Sequence, residues 1–504
     1  MDRSMQNSQP GKWLSTGITG LDEVLLGGLA RNHLFLVSGD PGTGKTTLGL
    51  QFLLEGVARG EKVMYVALSE SKSELEEVAH SHGWSAAAIQ VFEMVPTEEE
   101  LSPDAQYTVF HPAEVELADT LTAVLRKVDE EKPQRIVFDS LSELRMLARD
   151  ALRYRRQILA LKRHFVGSNC TCLLLDDRTV DGDDQQLQSI AHGVILLQSL
   201  DRDFGVKRRR LEVRKMRGAK FREGFHDFTI RTGGLEVFPR LVASEHRQRA
   251  RKDPVLSGID ALDRLFGGGI DSGSTTLFLG PAGCGKSSIS ALYVHSAAER
   301  NEGAAIFSFD ETAATYLKRT KSLGIDLEGH IAAGRVHLQQ VDPAEMSAGE
   351  FVTQIRDYVE KSDTRVIVVD SLNGFINAMP GEAYLILQLH ELFSYLNQHG
   401  VTTLCTLAQA GLVGKMESPV DLSYLADSVL MFRYYEACGE VRQALSVLKK
   451  RTGAHERTIR ELRFSDHRIH VGDALVGYEG VLSGTPRIAE NSDPLEDCGK
   501  PGAY

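Results

Sequence analysis

A chain of 504 residues exceeds one ordinary domain, and at about 150 residues per domain it divides into two to four. Hydrophobic residues at 42% and charged residues at 25% match ordinary globular usage, which excludes a disordered chain, a collagen-like repeat and a membrane bundle. The 57 basic and 69 acidic side chains leave a net charge of −12, so the chain as a whole lacks the electrostatic footprint of a nucleic-acid binder, and only a local basic groove stays open.

The opening MDRSMQNSQPGKW has no apolar h-region, so no secretory signal is expected. No apolar run reaches the roughly 18 residues a membrane span needs, and a cytoplasmic protein is expected. Six cysteines (170, 172, 284, 405, 438 and 498) show no C-x-x-C spacing; Cys170 and Cys172 alternate along an apolar run and read as buried strand thiols.

Along the chain, residues 16–29 (TGITGLDEVLLGGL) return at 257–270 as SGIDALDRLFGGGI. An offset of 241 carries Gly17, Leu21, Asp22, Gly27 and Gly28 onto Gly258, Leu262, Asp263, Gly268 and Gly269, and Lys45 onto Lys286. A period this long is a duplicated domain rather than a solenoid.

Each half then repeats one order of elements. A short apolar strand (His33 to Val37; Thr275 to Leu279) leads through a Gly-rich loop into a helix. In the first half that helix is predicted from Thr47 to Arg59, with Leu48, Phe52, Leu53 and Val57 on one side and Gly60 as its stop. Strands follow at KVMYVALSE and AAIFSFDE, at IQVFEMV and RVHLQQV, at RIVFD and RVIVVD, at CTCLLLDD and TTLCTLA, and at GVILLQ and DSVLMFR. Most are near-continuous apolar runs, as strands buried on both faces of a parallel sheet require, so a doubly wound α/β domain is predicted twice over. The predicted division is a flexible N terminus over 1–13, a first domain over 14–243, a polar linker over 244–253, a second domain over 254–488 and a mobile tail over 489–504. The KRRR run from Lys207 to Arg210 reads as a solvated hairpin edge.

Residues 39–46 (GDPGTGKT) and 280–287 (GPAGCGKS) both satisfy G-x-x-x-x-G-K-[ST] between a strand and a helix. In such a loop glycines let backbone N–H groups close around phosphate oxygens, and the helix N-terminus adds its positive end. ATP binding is therefore assigned to Gly39, Asp40, Pro41, Gly42, Thr43, Gly44, Lys45, Thr46 and Thr47, and to Gly280, Pro281, Ala282, Gly283, Cys284, Gly285, Lys286, Ser287 and Ser288. Lys45 and Lys286 would neutralise the β/γ-phosphates. Mg²⁺ is assigned to the hydroxyls of Thr46 and Ser287 together with the strand-end carboxylates of Asp139 and Asp370.

Hydrolysis also needs a group that orients or deprotonates water. Glu70 and Glu311 each lie 25 residues after their P-loop lysine, at the carboxyl end of the next strand, and Asp310 adds a second carboxylate where the first half has Ser69. Each half finally carries a basic pair, Lys215 and Arg217 or Lys449 and Arg451, placed on a strand pattern where a neighbouring subunit could present it to a γ-phosphate.

The leading [ST]-G-I-x-x-L-D-x-x-x-x-G-G-[LI] element, the P-loops, the R-x-x-x-D-S-L strand ends and the K-x-R pairs together resemble the KaiC family of double-domain RecA-type ATPases, over about residues 14–488. That resemblance implies tandem RecA-like P-loop domains, a homo-hexameric two-tiered ring with ATP and Mg²⁺ between neighbours, and a KaiB-like partner. It further implies slow hydrolysis in the first domain and Ser/Thr autophosphorylation in the second. The family's paired glutamates appear here as Ser69–Glu70 and Asp310–Glu311, which implies weaker or differently timed hydrolysis in the first domain. Its Ser-Thr phosphosite falls at Ser423–Tyr424, which keeps the serine alone and implies a single site. Two other readings stand beside this one: a DNA-dependent motor or recombinase of the RadA or RecA kind, and a nucleotide-gated scaffold without kinase activity.

Overall fold

The computed structural model describes residues 12–93, 112–148, 150–178, 185–201, 205–245, 252–377, 385–411, 422–437, 439–465, 467–482 and 487–488. The tail over 489–504, nearly all of the N-terminal 1–13 and most of the linker lie outside them. The chain divides into two compact units between Arg240 and Leu241, and Leu241 and Ala243 pack in the core of the second.

In the first unit the strands of the main sheet are β1 (Leu34–Gly39), β2 (Val63–Ala67), β3 (Gln90–Glu93), β4 (Arg135–Asp139), β5 (Thr171–Asp177), β6 (Gly193–Leu200), β7 (Arg208–Met216), β8 (Phe225–Arg231) and β9 (Gly234–Phe238). They form one nine-stranded sheet in the order β9-β8-β7-β6-β1-β5-β4-β2-β3. The run from β6 to β3 is parallel, and β7, β8 and β9 add antiparallel strands beside β6.

The second unit repeats this with β10 (Thr275–Gly280), β11 (Gly303–Ser308), β12 (Val336–Gln340), β13 (Thr364–Asp370), β14 (Thr402–Ala408), β15 (Ser428–Ala437), β16 (Glu440–Lys450), β17 (Arg460–Ser465) and β18 (Arg468–Ala474). Their order, β12-β11-β13-β14-β10-β15-β16-β17-β18, is the first order read from the other edge. Each unit is thus a doubly wound, mostly parallel α/β sheet.

The apolar runs are explained by two-sided burial. Leu34, Leu36, Met64, Val66, Ile136, Phe138, Cys172 and Leu174 belong to one core cluster. Their alternates Phe35, Val37, Tyr65, Ala67, Val137, Leu173 and Leu175 belong to another, as the two faces of one sheet demand. Cys170 and Cys172 are buried free thiols, and burial pushes the Cys170 thiol up to about 12. The KRRR expectation needs correction: Arg208 is buried and begins β7, an interior strand between β6 and β8. Arg210 donates to Gln198 at 2.8 Å and lies 4.0 Å over the Phe225 ring, so this segment packs instead of lining a free edge.

The repeated leading motif has a local cause. The Thr16 amide and hydroxyl both donate to Asp22 Oδ1, at 2.8 and 2.7 Å, and Ser257 does the same to Asp263 Oδ1 at 2.8 Å each. Between them Gly17 and Gly258 take φ of +79° and +83°, a conformation that side chains with a Cβ avoid.

Candidate functional site

Both P-loops leave the central strand of their sheet, β1 or β10, and enter a helix: α1 (Lys45–Ala58) in the first unit and α2 (Lys286–Glu299) in the second. Gly44 and Gly285 stand at the helix N-caps with φ of +98° and +101°. A Cβ at Gly44 would lie 2.5 Å from Ile230 of β8, and one at Gly285 2.3 Å from Phe464 of β17. The antiparallel strands thus press on the loop and fix its glycines. Helix α1 buries Leu48, Phe52 and Leu53 and stops before Gly60, whose φ is +73°.

In the first unit the Thr46 hydroxyl donates to Asp139 Oδ2 at 2.7 Å, and the Tyr65 hydroxyl reaches the same oxygen at 2.5 Å. This brings the two assigned Mg²⁺ residues together as a hydroxyl and a carboxylate, the hard oxygen set that Mg²⁺ prefers. Burial pushes the Asp139 carboxyl up, against the lowering effect of those hydroxyls. Lys45 Nζ donates to the carbonyls of Gly39 and Asp40 at 3.0 Å each and pairs with Asp177 Oδ1 at 2.6 Å.

Glu70 follows β2. Burial, helped by the charges of Asp139, Glu74 and Asp177 and opposed by Lys45, raises its carboxyl to about 7. Its Oε2 is buried and has no hydrogen-bond partner among the described residues. A carboxylate with this affinity for a proton, beside a phosphate cradle, is matched to taking a proton from water near neutral pH.

The second site holds the same groups with different partners. Asp370, pushed up by burial, accepts from Thr406 at 2.5 Å, and Ser287 also bonds to it. Asp310 accepts from Ser371 at 2.6 Å. Lys286 Nζ donates to the carbonyls of Gly280 and Pro281 at 2.9 and 2.5 Å and lies 3.7 Å from the buried Cys284 sulfur. Glu311 is held by Arg319, whose Nη2 and Nε reach its Oε2 at 3.0 and 3.3 Å while Nη1 donates to Ser288 at 3.0 Å.

Three groups here escaped the sequence reading: Asp177, Tyr65 and Arg319. Asp177 closes CTCLLLDD and reaches Lys45 because β5 lies directly beside β1, pairing Gly39 with Asp177. In the second unit Gly280 pairs with Ala408, so no carboxylate stands there. Arg319 lies eight residues beyond Glu311 on the next helix, and the residue 241 positions earlier is Val78. The ion pair is partly solvent-exposed and worth about 1 kcal/mol, or roughly fivefold in an equilibrium. With the first site silenced by Lys45→Ala, Arg319→Leu is therefore expected to raise basal ATP turnover by up to about fivefold by freeing Glu311. Turnover that falls instead would show that Arg319 assists the reaction.

The basic pairs bond within their own unit. Lys215 Nζ donates to the carbonyls of Gln188 and Ala191 at 2.5 and 2.9 Å, and Arg217 to that of Ser189 at 2.5 Å. In the second unit Lys449 donates to Ser423 and Ala426 at 2.8 Å each, and Arg451 to the Tyr424 carbonyl at 2.6 Å and Asp427 at 3.2 Å. Lys215 and Arg217 thus fasten the end of the helix Gln185–Ile190 and the residue after it, whereas Lys449 and Arg451 staple the loop that precedes β15, where Ser423 sits beside a half-exposed Tyr424.

Among the described residues no helix is long and apolar enough to cross a membrane. A sequence model of the family described as "ATPase: KaiC" matches residues 14–242 and 255–475. The circadian clock oscillator protein KaiC of Parathermosynechococcus lividus is 28% identical over 509 residues, covering 96% of this chain and 92% of that protein. The protein of the same description from a Picosynechococcus species is also 28% identical, over 94% of this chain and 93% of its own length. That of Acaryochloris marina is 26% identical, over 94% and 90%. The duplicated P-loop sheets and the family match over both halves agree, and the chain belongs to the KaiC family of ATPases.

Proposed function

We propose that both units bind ATP with Mg²⁺ and hydrolyse it, and that the second also phosphorylates Ser423, in a homo-hexameric ring with nucleotide between neighbours. The ring acts in the cytoplasm as a regulatory or timing hub that a KaiB-like or other signalling protein reads. Mg²⁺ would be held by Thr46 and Asp139 in the first unit and by Ser287 and Asp370 in the second, and when bound it neutralises phosphate oxygens. Lys45 and Lys286 bind the phosphates once they leave their present partners. Glu70 takes the proton of the attacking water in the first site. In the second, Asp310 or Glu311 takes the proton of the Ser423 hydroxyl, whose oxygen bonds to the γ-phosphorus as the bond to the ADP oxygen breaks.

The observation that carries the kinase reading is the staple at the serine loop: Lys449 and Arg451 fix the carbonyls of Ser423, Tyr424 and Ala426. A loop held at three carbonyls presents its hydroxyl in a defined place, which phosphoryl transfer needs. The test is incubation with γ-labelled ATP, mapping of the label, and native mass with and without ATP. Label on Ser423 that disappears in Ser423→Ala, on an ATP-dependent hexamer, is expected. An unlabelled protein that still assembles would leave the nucleotide-gated scaffold, and turnover that rises with single-stranded DNA would point to the DNA motor.

A further inference from the structure

Helix α2 begins at the second P-loop and ends in a cluster unrelated to phosphate. His295 and Glu299 stand four residues apart and so share a face of the helix. His330 comes up to them from the short helix Glu328–Ala332. Its Nε2 lies 2.8 Å from Glu299 Oε1, and its ring centroid is 5.3 Å from that of His295, with the planes at 81°. One ligand atom from each of the three residues falls within 4.8 Å of the other two. His330 is 7% exposed, whereas His295 is half-buried and Glu299 reaches solvent.

The fold itself does not ask for these side chains. At the matching positions, 241 residues earlier, the first unit has Leu54, Ala58 and Ile89, and Leu54 and Ile89 pack with its apolar core. The same helix is thus secured by hydrocarbon in one unit and by two imidazoles and a carboxylate in the other. Burying imidazoles at an otherwise apolar position costs stability unless a partner compensates.

We infer that His295, Glu299 and His330 form a site for a divalent transition-metal ion, Zn²⁺ foremost, that ties the far end of the P-loop helix to the helix at 328–332. Two imidazole nitrogens and one carboxylate oxygen suit Zn²⁺ rather than the Mg²⁺ of the nucleotide sites, and leave a fourth position for water. Tetrahedral ligands about 2.0–2.2 Å from an ion lie roughly 3.3–3.6 Å apart, so a small side-chain movement closes the set.

One neighbour works against the ion. Arg335 points Nη2 and Nε at His330 Nδ1, at 3.0 and 3.2 Å, and a guanidinium can only donate. Nδ1 is therefore the acceptor, and Nε2 carries the proton that faces Glu299. A metal at Nε2 moves that proton to Nδ1, where it meets the donors of Arg335, so the arginine must turn away. In Arg335→Gln an amide oxygen could accept the Nδ1 proton instead, as carbonyls do behind metal-bound histidines.

The test titrates the full-length protein, stripped with chelator and then saturated with Mg-ATP, with Zn²⁺ against a chromophoric chelator. Co²⁺ serves as a parallel probe through its visible tetrahedral absorption. We expect one ion per chain, about tenfold or more weaker in His295→Ala and Glu299→Ala, whose partly exposed positions leave the fold intact by circular dichroism, and about tenfold tighter in Arg335→Gln. Stoichiometry and affinity unchanged in all three variants, or binding only at millimolar Zn²⁺, would overturn the assignment.

Discussion

Glu70→Gln is expected to cut ATP turnover by the first unit about a hundredfold or more, measured with the second site silenced by Lys286→Ala. The amide keeps the shape of the side chain and removes its ability to take a proton. The wild-type rate at that site should rise with pH through about 7, because the carboxylate, pushed up by its burial and by Asp139, must lose its proton before it can act. The same shift has a stability consequence of opposite direction. A carboxyl whose folded value lies above its unfolded one stabilises the protein while protonated, and that stabilisation fades between about pH 4.5 and 7. Without nucleotide, Glu70→Gln should therefore stabilise the protein above pH 7, by about 1–2 kcal/mol once partial solvation is allowed for. Undiminished turnover with a flat pH profile would remove Glu70 from the reaction.

The largest stability effect is expected at Glu61. Arg135 is fully buried at the start of β4, 2.5 Å from Glu61, and donates to the carbonyls of Ser15 and Phe52 at 2.8 and 2.9 Å with its guanidinium 4.8 Å over the Phe52 ring. It pins the leading motif, the P-loop helix and the sheet to one another. Glu61→Ala strands that charge without its counterion, at a cost of about 3–5 kcal/mol. Both tryptophans, Trp13 and Trp84, pack against the first unit's core, so fluorescence during denaturation reads that unit alone. Glu302→Ala in the second unit should cost less, because Arg365 lies 3.6 Å from Glu302 and also reaches Ser272 at 2.6 Å and the Asp253 carbonyl. A shift below about 1 kcal/mol for Glu61→Ala would refute the account.

Features encoded by short fixed spacings could be read without coordinates. The 241-residue offset, the two P-loops and the carboxylates ending RIVFD and RVIVVD follow from local patterns, because each needs only a strand, a tight turn and a helix in succession. The partners set by sheet order could not. β1 lies between β5 and β6, so Asp177 comes to Lys45 through a crossover that no local pattern encodes. Arg319 depends on which face of its helix turns to Glu311, and Tyr65 on which face of β2 turns to Asp139. Paired aspartates at the end of an apolar strand were the available signal for Asp177. The spacing of the basic pairs offers them to a neighbour's phosphate, yet within the chain their hydrogen bonds go to the residues just before β6 and β15, which only pairing of β6 with β7 and of β15 with β16 brings near.

The contact between Lys45 and Asp177 makes the two P-loops unequal as vessels for the same cargo. In the first, Lys45 already has an anion in Asp177, so a nucleotide phosphate would have to displace a resident competitor, and a departing product would leave behind a partner ready to reclaim the charge. The second loop has Ala408 where that anion would be, and its lysine falls back on two carbonyls and the Cys284 sulfur. Phosphate binding would be a swap of counterions at the first site and a gain of one at the second. Two loops with one G-x-x-x-x-G-K-[ST] spacing would thereby refill on different schedules within one polypeptide.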